Sequence, residues 1–134
     1  MQRSKAGLIL LTILTQRPIF ISTGHYLFED RDEKSLFRIL EDANASICCF
    51  GHTHKPYHRV LWKDGMQRHA INIGSVGKPK DGDWRGCYAV LTIDDGKPLK
   101  VEFVRFEYDV EKAAKAVEDS PLPNEYADML RKGY

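Results

Sequence analysis

A chain of 134 residues, 43% of them hydrophobic, carries enough apolar material for one modest core, which predicts a single domain or part of one. With 20 basic and 19 acidic side chains well mixed and a formal net charge of +1, it lacks the electrostatic footprint of a protein drawn to nucleic acid or to an anionic membrane. Three cysteines, two of them adjacent at 48 and 49, make no disulfide framework; they read as small buried hydrophobes in a reducing, cytoplasmic compartment.

In chain order, Arg3 and Lys5 precede an apolar run over 6–14, a pattern shared with the charged and apolar parts of a signal peptide. No small-x-small cleavage site follows, the run is about half the ~20 residues that a membrane helix needs, and Gln16-Arg17-Pro18 interrupts it before Ile19-Phe20-Ile21. A core strand or helix is the preferred reading, with an export element or a disordered start as alternatives. Residues 1–25 are therefore set apart as an atypical segment.

The first clear helix is expected over 31–43. Asp30 is the expected N-cap, with Glu33 three residues on as in a capping box, and Leu36, Phe37, Leu40 and Ala43 make one apolar face. Asn44 is a breaker. A short buried strand is expected at 46–50, after which Gly51 permits a turn and releases two imidazoles spaced i, i+2, His52 and His54. Loops at strand carboxyl ends are where open α/β sheets place ligands, and neutral imidazole is the commonest protein metal ligand. The His-x-His pair alone leaves open a plainer alternative, two polar loop residues bonded to backbone or water.

Beyond it the period becomes strand-like. Residues 59–63 and 67–73 flank Asp64-Gly65, a strong hairpin signal, and place His58 and His69 on a ribbon as surface or cross-strand residues. Residues 78–85 form a loop in which Arg85 could hold a phosphate by its fork and Trp84 could stack on a ring, against the alternative of a surface loop anchored by its tryptophan. Strands at 86–94 and 97–106 turn at Asp95-Gly96. Two helices follow, one capped by Asp109 with Val110, Ala113, Ala114 and Val117 on one face, the second over 124–132 before Gly133.

Phe50-Gly51-His52-Thr53-His54-Lys55-Pro56, Ile71-Asn72-Ile73-Gly74-Ser75-Val76-Gly77 and Gly86-Cys87-Tyr88-Ala89-Val90, in that order and spacing, resemble the last third of a calcineurin-like metallophosphoesterase of the small bacterial and archaeal phosphodiesterase type. The resemblance covers 26–134 and implies the C-terminal part of an αββα sandwich, with mixed and antiparallel strands and flanking helices. It implies a centre of two divalent transition-metal ions, manganese with zinc, iron or nickel as alternatives, and a phosphate-ester substrate. His52 would ligate one ion and His54 the other, both as catalytic metal ligands, while Asn72, Gly74 and Ser75 would lie beside the metal or its phosphate.

A two-metal phosphoesterase needs about six to eight ligands including a bridging carboxylate. The family's Asp-x-His, Gly-Asp-x-x-Asp and Gly-Asn-His segments do not occur in these 134 residues, and Ser22-Thr23-Gly24-His25 reverses the family's His-Gly order, leaving His25 as a poor substitute. Two functions follow as expectations: an incomplete phosphoesterase, inactive or very weak until a missing N-terminal half is supplied, or a non-catalytic remnant serving as a binding or oligomerising module. Self-association or the need for a partner is expected, through the apolar face or strand edge that such a half would cover.

Overall fold

The structure, a computed structural model, describes residues 17–22 and 24–134. The apolar run at 6–14 lies outside the described residues. Among the described residues six strands and three helices follow one another as β1 (Ile19–Ser22), α1 (Glu33–Asp42), β2 (Ile47–Phe50), β3 (Tyr57–Lys63), β4 (Met66–Asn72), β5 (Gly86–Thr92), β6 (Lys100–Phe106), α2 (Val110–Glu118) and α3 (Glu125–Lys132). Strands β1, β2, β4 and β3 form one sheet in that order, parallel across β1-β2-β4 and antiparallel at β4-β3; β5 and β6 form a second, antiparallel pair.

The central strands β2 and β4 are covered on both faces where they pair. Cys48, Phe50 and Ala70 pack with Leu36, Phe37 and Leu40 of α1, whereas Ile47, Cys49 and Ile71 pack with Ala89 and Leu91 of β5. The three cysteines are free and buried, and burial pushes Cys48 up to about 11 and Cys49 to about 12, so they stay protonated thiols. Asp64 and Gly65 both take positive φ, 52° and 74°, as a two-residue hairpin turn demands. The second turn falls at Asp95-Gly96, inside a longer connection, because β6 starts at Lys100 rather than at 97.

The helix cap differs from expectation. Asp32, not Asp30, accepts from the Ser35 N–H at 2.7 Å, so α1 begins at Glu33. Asn44 does end it, at φ 48°. Within the segment set apart in the sequence, Ile19–Ser22 is a strand in register with β2. The C-terminal helices are tied together by Arg131, whose guanidinium meets Glu111 at 3.0 Å and Glu118 at 2.7 Å.

His58 and His69 are diagonal neighbours on the β3-β4 ribbon, with Nε2 of the first 3.0 Å from Nδ1 of the second and the rings stacked at 5.2 Å. His69 is buried, 4% exposed, because its strand pairs with β2 opposite Ile47. Burial, with smaller contributions from His58 and Arg17, holds its pKa down at about 4, and burial lowers His58 as well. The folded chain thus refuses a proton that the unfolded chain accepts near pH 6.5. The pair's contribution is fully present above that pH and is lost as pH falls toward 4, on the order of 1–3 kcal/mol. Urea midpoints are therefore expected to fall from pH 7.5 to pH 5, and to fall much less in His69→Gln; an equal fall in both proteins would contradict this assignment.

Candidate metal centre

Three parallel strands finish level with one another. Ser22, Phe50 and Asn72 are the last residues of β1, β2 and β4 and are direct partners across the sheet, so the segments that follow them emerge at one edge. This carboxyl edge is where ligand sites form in sheets of this kind. The loop after β2 carries His52 and His54, each at positive φ, 68° and 60°. Non-glycine residues rarely occupy that region, and two within three positions mark backbone held in an unfavourable form by its surroundings.

Those surroundings are specific. Between the two histidines Thr53 is buried, its N–H donating to the Gly51 carbonyl at 2.8 Å. Asn72, wholly buried, donates through Nδ2 to the Thr53 hydroxyl at 2.7 Å and to the Gly51 carbonyl at 3.1 Å, and accepts through Oδ1 from the Gly74 N–H at 3.0 Å. One amide therefore clamps the histidine loop to the segment after β4. Gly74 sits at φ 77°, and a Cβ there would stand 3.0 Å from the Cys87 side chain. What Gly74 approaches in this structure is therefore β5.

The two imidazoles have different settings. His52 is exposed, its ring edge-on to Tyr26 at 4.5 Å between centroids. His54 is half-buried, and its Nδ1 lies 2.6 Å from the Lys78 carbonyl oxygen. A carbonyl can only accept, so Nδ1 carries the proton and Nε2 keeps its lone pair. Burial lowers the His54 pKa, opposed by that hydrogen bond and assisted by Lys80, His52 and Lys78, which favours the neutral ring that a metal requires. Ser75 fixes the acceptor: its buried hydroxyl receives the Lys78 N–H at 3.0 Å.

His25, Asp81, Asp83, Arg85 and Trp84 each have partners of their own. His25 Nδ1 is engaged by the Ser22 hydroxyl and its ring lies edge-on to Phe20. Asp81 is paired with Arg105, and Asp83 holds the Arg85 guanidinium by two contacts of 3.0 and 2.7 Å, which keeps the Asp83 carboxyl down at about 2. The Arg85 fork is therefore already occupied, and Trp84 tilts against Tyr108 at 6.1 Å. Among the described residues no group of three or more His, Cys, Asp or Glu side chains is placed to hold an ion. His52 and His54 fit a transition metal in donor type and, for His54, in tautomer, although two imidazoles are fewer than the three protein ligands usual for a catalytic zinc. Thr53 and Lys78 were not among the sequence candidates. Thr53 had a signal in its place between the histidines, whereas Lys78 acts through its carbonyl, which residue type does not advertise.

A mixed α/β fold with a histidine pair at the ends of its parallel strands defines the class. The chain belongs to the calcineurin-like phosphoesterase superfamily, whose domain model matches residues 7–96. It is 32% identical over 94 residues to the uncharacterized protein MJ0912 of Methanocaldococcus jannaschii, covering 62% of this chain and 37% of that one. The fold is similar to that of the hypothetical protein PH1004 from Pyrococcus horikoshii OT3, with a TM-score of 0.69 at 19% identity over 93% of this chain and 50% of the other. It is similar also to a metallophosphoesterase from Sphaerobacter thermophilus, with a TM-score of 0.58 at 23% identity over 87% and 54%. The chain spans roughly a third to a half of the length of these relatives.

Proposed function

We propose that this chain supplies the double-histidine side of the metal centre of a phosphoric-ester hydrolase acting on phosphodiesters or phosphomonoesters, completed by carboxylate ligands from outside these 134 residues. The observation that carries the reading is His54: a neutral ring with Nδ1 committed to the Lys78 carbonyl and Nε2 left to bind, in a loop held at positive φ beside His52. His54 and His52 would hold divalent ions, manganese first and zinc, iron or nickel as alternatives. Such ions supply a nucleophilic water at neutral pH and neutralise charge on the phosphate. The chain's own residues hold the imidazoles apart and oriented, and Lys80, whose backbone N–H donates to the His54 carbonyl at 3.3 Å, brings a cation suited to an anionic substrate. The buried thiols agree with a reducing, cytoplasmic setting.

A second reading, a non-catalytic module that binds a partner or a second copy, is favoured by exposed apolar side chains on the edge strand β1 and on the segment that follows it. Ile21, Tyr26 and Phe28 are about half exposed, and among the described residues β1 pairs with β2 alone. None of the described helices is long and apolar enough to cross a membrane.

A Mn²⁺-dependent assay on a chromogenic phosphodiester separates the two. The 134-residue chain alone is expected to show little or no turnover, and activity is expected once an N-terminal half bearing Asp-x-His, Gly-Asp-x-x-Asp and Gly-Asn-His segments is joined in cis or added in trans. Robust turnover by the chain alone would overturn the ligand assignment and return attention to His25, Asp81 and Asp83. Silence in both arms would favour the module.

A further inference from the structure

We propose that the C-terminal helix α3 is a positioning element for His54, acting through Lys78. Residue 78 is held on three sides: its N–H by the Ser75 hydroxyl, its carbonyl by His54 Nδ1 at 2.6 Å, and its ammonium by α3, where it stands 5.1 Å from the centroid of the Tyr126 ring and 3.5 Å from Met129 Sδ. The end of the same helix grips the loop again. Gly82 donates to the Gly133 carbonyl at 3.0 Å, and a Cβ on Gly133 would stand 2.6 Å from the Asp83 carbonyl carbon, a fit only a bare backbone allows. Helix α3 is in turn fastened to α2 by Arg131.

The chemical consequence falls on the ring. A neutral imidazole exchanges between two tautomers, and the group that accepts from one nitrogen decides which nitrogen can bind a metal. Here the acceptor is a main-chain oxygen that no side-chain substitution can delete, and its placement depends on Ser75 at the N–H and on what holds the Lys78 side chain. The cation over the Tyr126 ring does that. The domain match ends at residue 96, so α3 lies outside it.

This inference rests on the proposed function only for the identity of the ligand that Nε2 receives, and its test needs no metal. Long-range ¹H–¹⁵N correlation spectra of the metal-free 134-residue chain at neutral pH report the tautomer of each histidine directly. Wild type is expected to show His54 as the Nδ1–H form. Tyr126→Ala and Lys78→Met are each expected to lower the ratio of Nδ1–H to Nε2–H by roughly tenfold, with a comparable loss of Zn²⁺ affinity by calorimetry. Tyr126→Phe and Lys78→Arg, which keep a ring and a cation, are expected to retain the wild-type ratio. Where Tyr126→Ala does not fold, Lys78→Met decides alone, since it preserves the apolar stem. An unchanged ratio in a cooperatively folded Lys78→Met chain would overturn the proposal, as would conservative variants no better than the disruptive ones. A failure to bind Zn²⁺ with the tautomer responses intact would count against the proposed function and not against this one.

Discussion

His52→Ala and His54→Ala, each made in a protein restored with the N-terminal motifs, are expected to lower Mn²⁺-dependent phosphodiester hydrolysis by on the order of a hundredfold or more. In the proposed function each imidazole would hold one ion and both ions would serve the same phosphate, so losing either would remove part of a single clamp. The stability cost should be small by comparison. His52 is exposed and gives up only its edge contact with Tyr26, and His54 is half-buried with one hydrogen bond at stake. Steady-state kinetics set beside thermal melts distinguish the two effects. Rates within threefold of the restored parent, at full metal loading, would remove both residues from the centre.

Asn72→Ala is expected to be the most destabilising single change at the site, by about 3 kcal/mol in urea unfolding. The amide is wholly buried, and it satisfies the Gly51 carbonyl, the Thr53 hydroxyl and the Gly74 N–H together. The Gly51 carbonyl keeps the Thr53 N–H, but alanine leaves a cavity beside the Thr53 hydroxyl and the Gly74 N–H, and a buried unsatisfied donor costs about 1–3 kcal/mol by itself. Because the same amide holds Thr53 between the two histidines, metal affinity should fall with stability. A change below about 1 kcal/mol would mean that water or a shifted Thr53 hydroxyl takes its place.

Local chemistry decided what could be read from the chain in advance. Leu36, Phe37 and Leu40 announced α1 by helical spacing, and Asp64-Gly65 announced its hairpin because few other residue pairs take positive φ twice in succession. The N-cap falls at Asp32 and not at the expected Asp30 because both have a polar residue three positions on, and the backbone path brings the Ser35 N–H to Asp32. Strand β1 was hidden because four residues behind Pro18 carry too short a pattern, and its register comes from β2. The burial of His69 likewise follows from pairing with Ile47, a contact between distant segments. At the site, His52, His54, Asn72 and Ser75 were visible as residue types in a spaced motif. The Lys78 carbonyl was not, since every residue has one.

The assignment of His52 and His54 as the chain's metal ligands is tested most directly by titrating Mn²⁺ into the ¹⁵N-labelled chain and following the side-chain signals of its 5 histidines. The paramagnetic ion broadens the resonances nearest to it. His52 and His54 are expected to disappear first and together, while His25 and the stacked His58–His69 pair persist until much higher concentration. Loss of His25 or of that pair ahead of His52 and His54, or uniform loss of all five, would contradict the account.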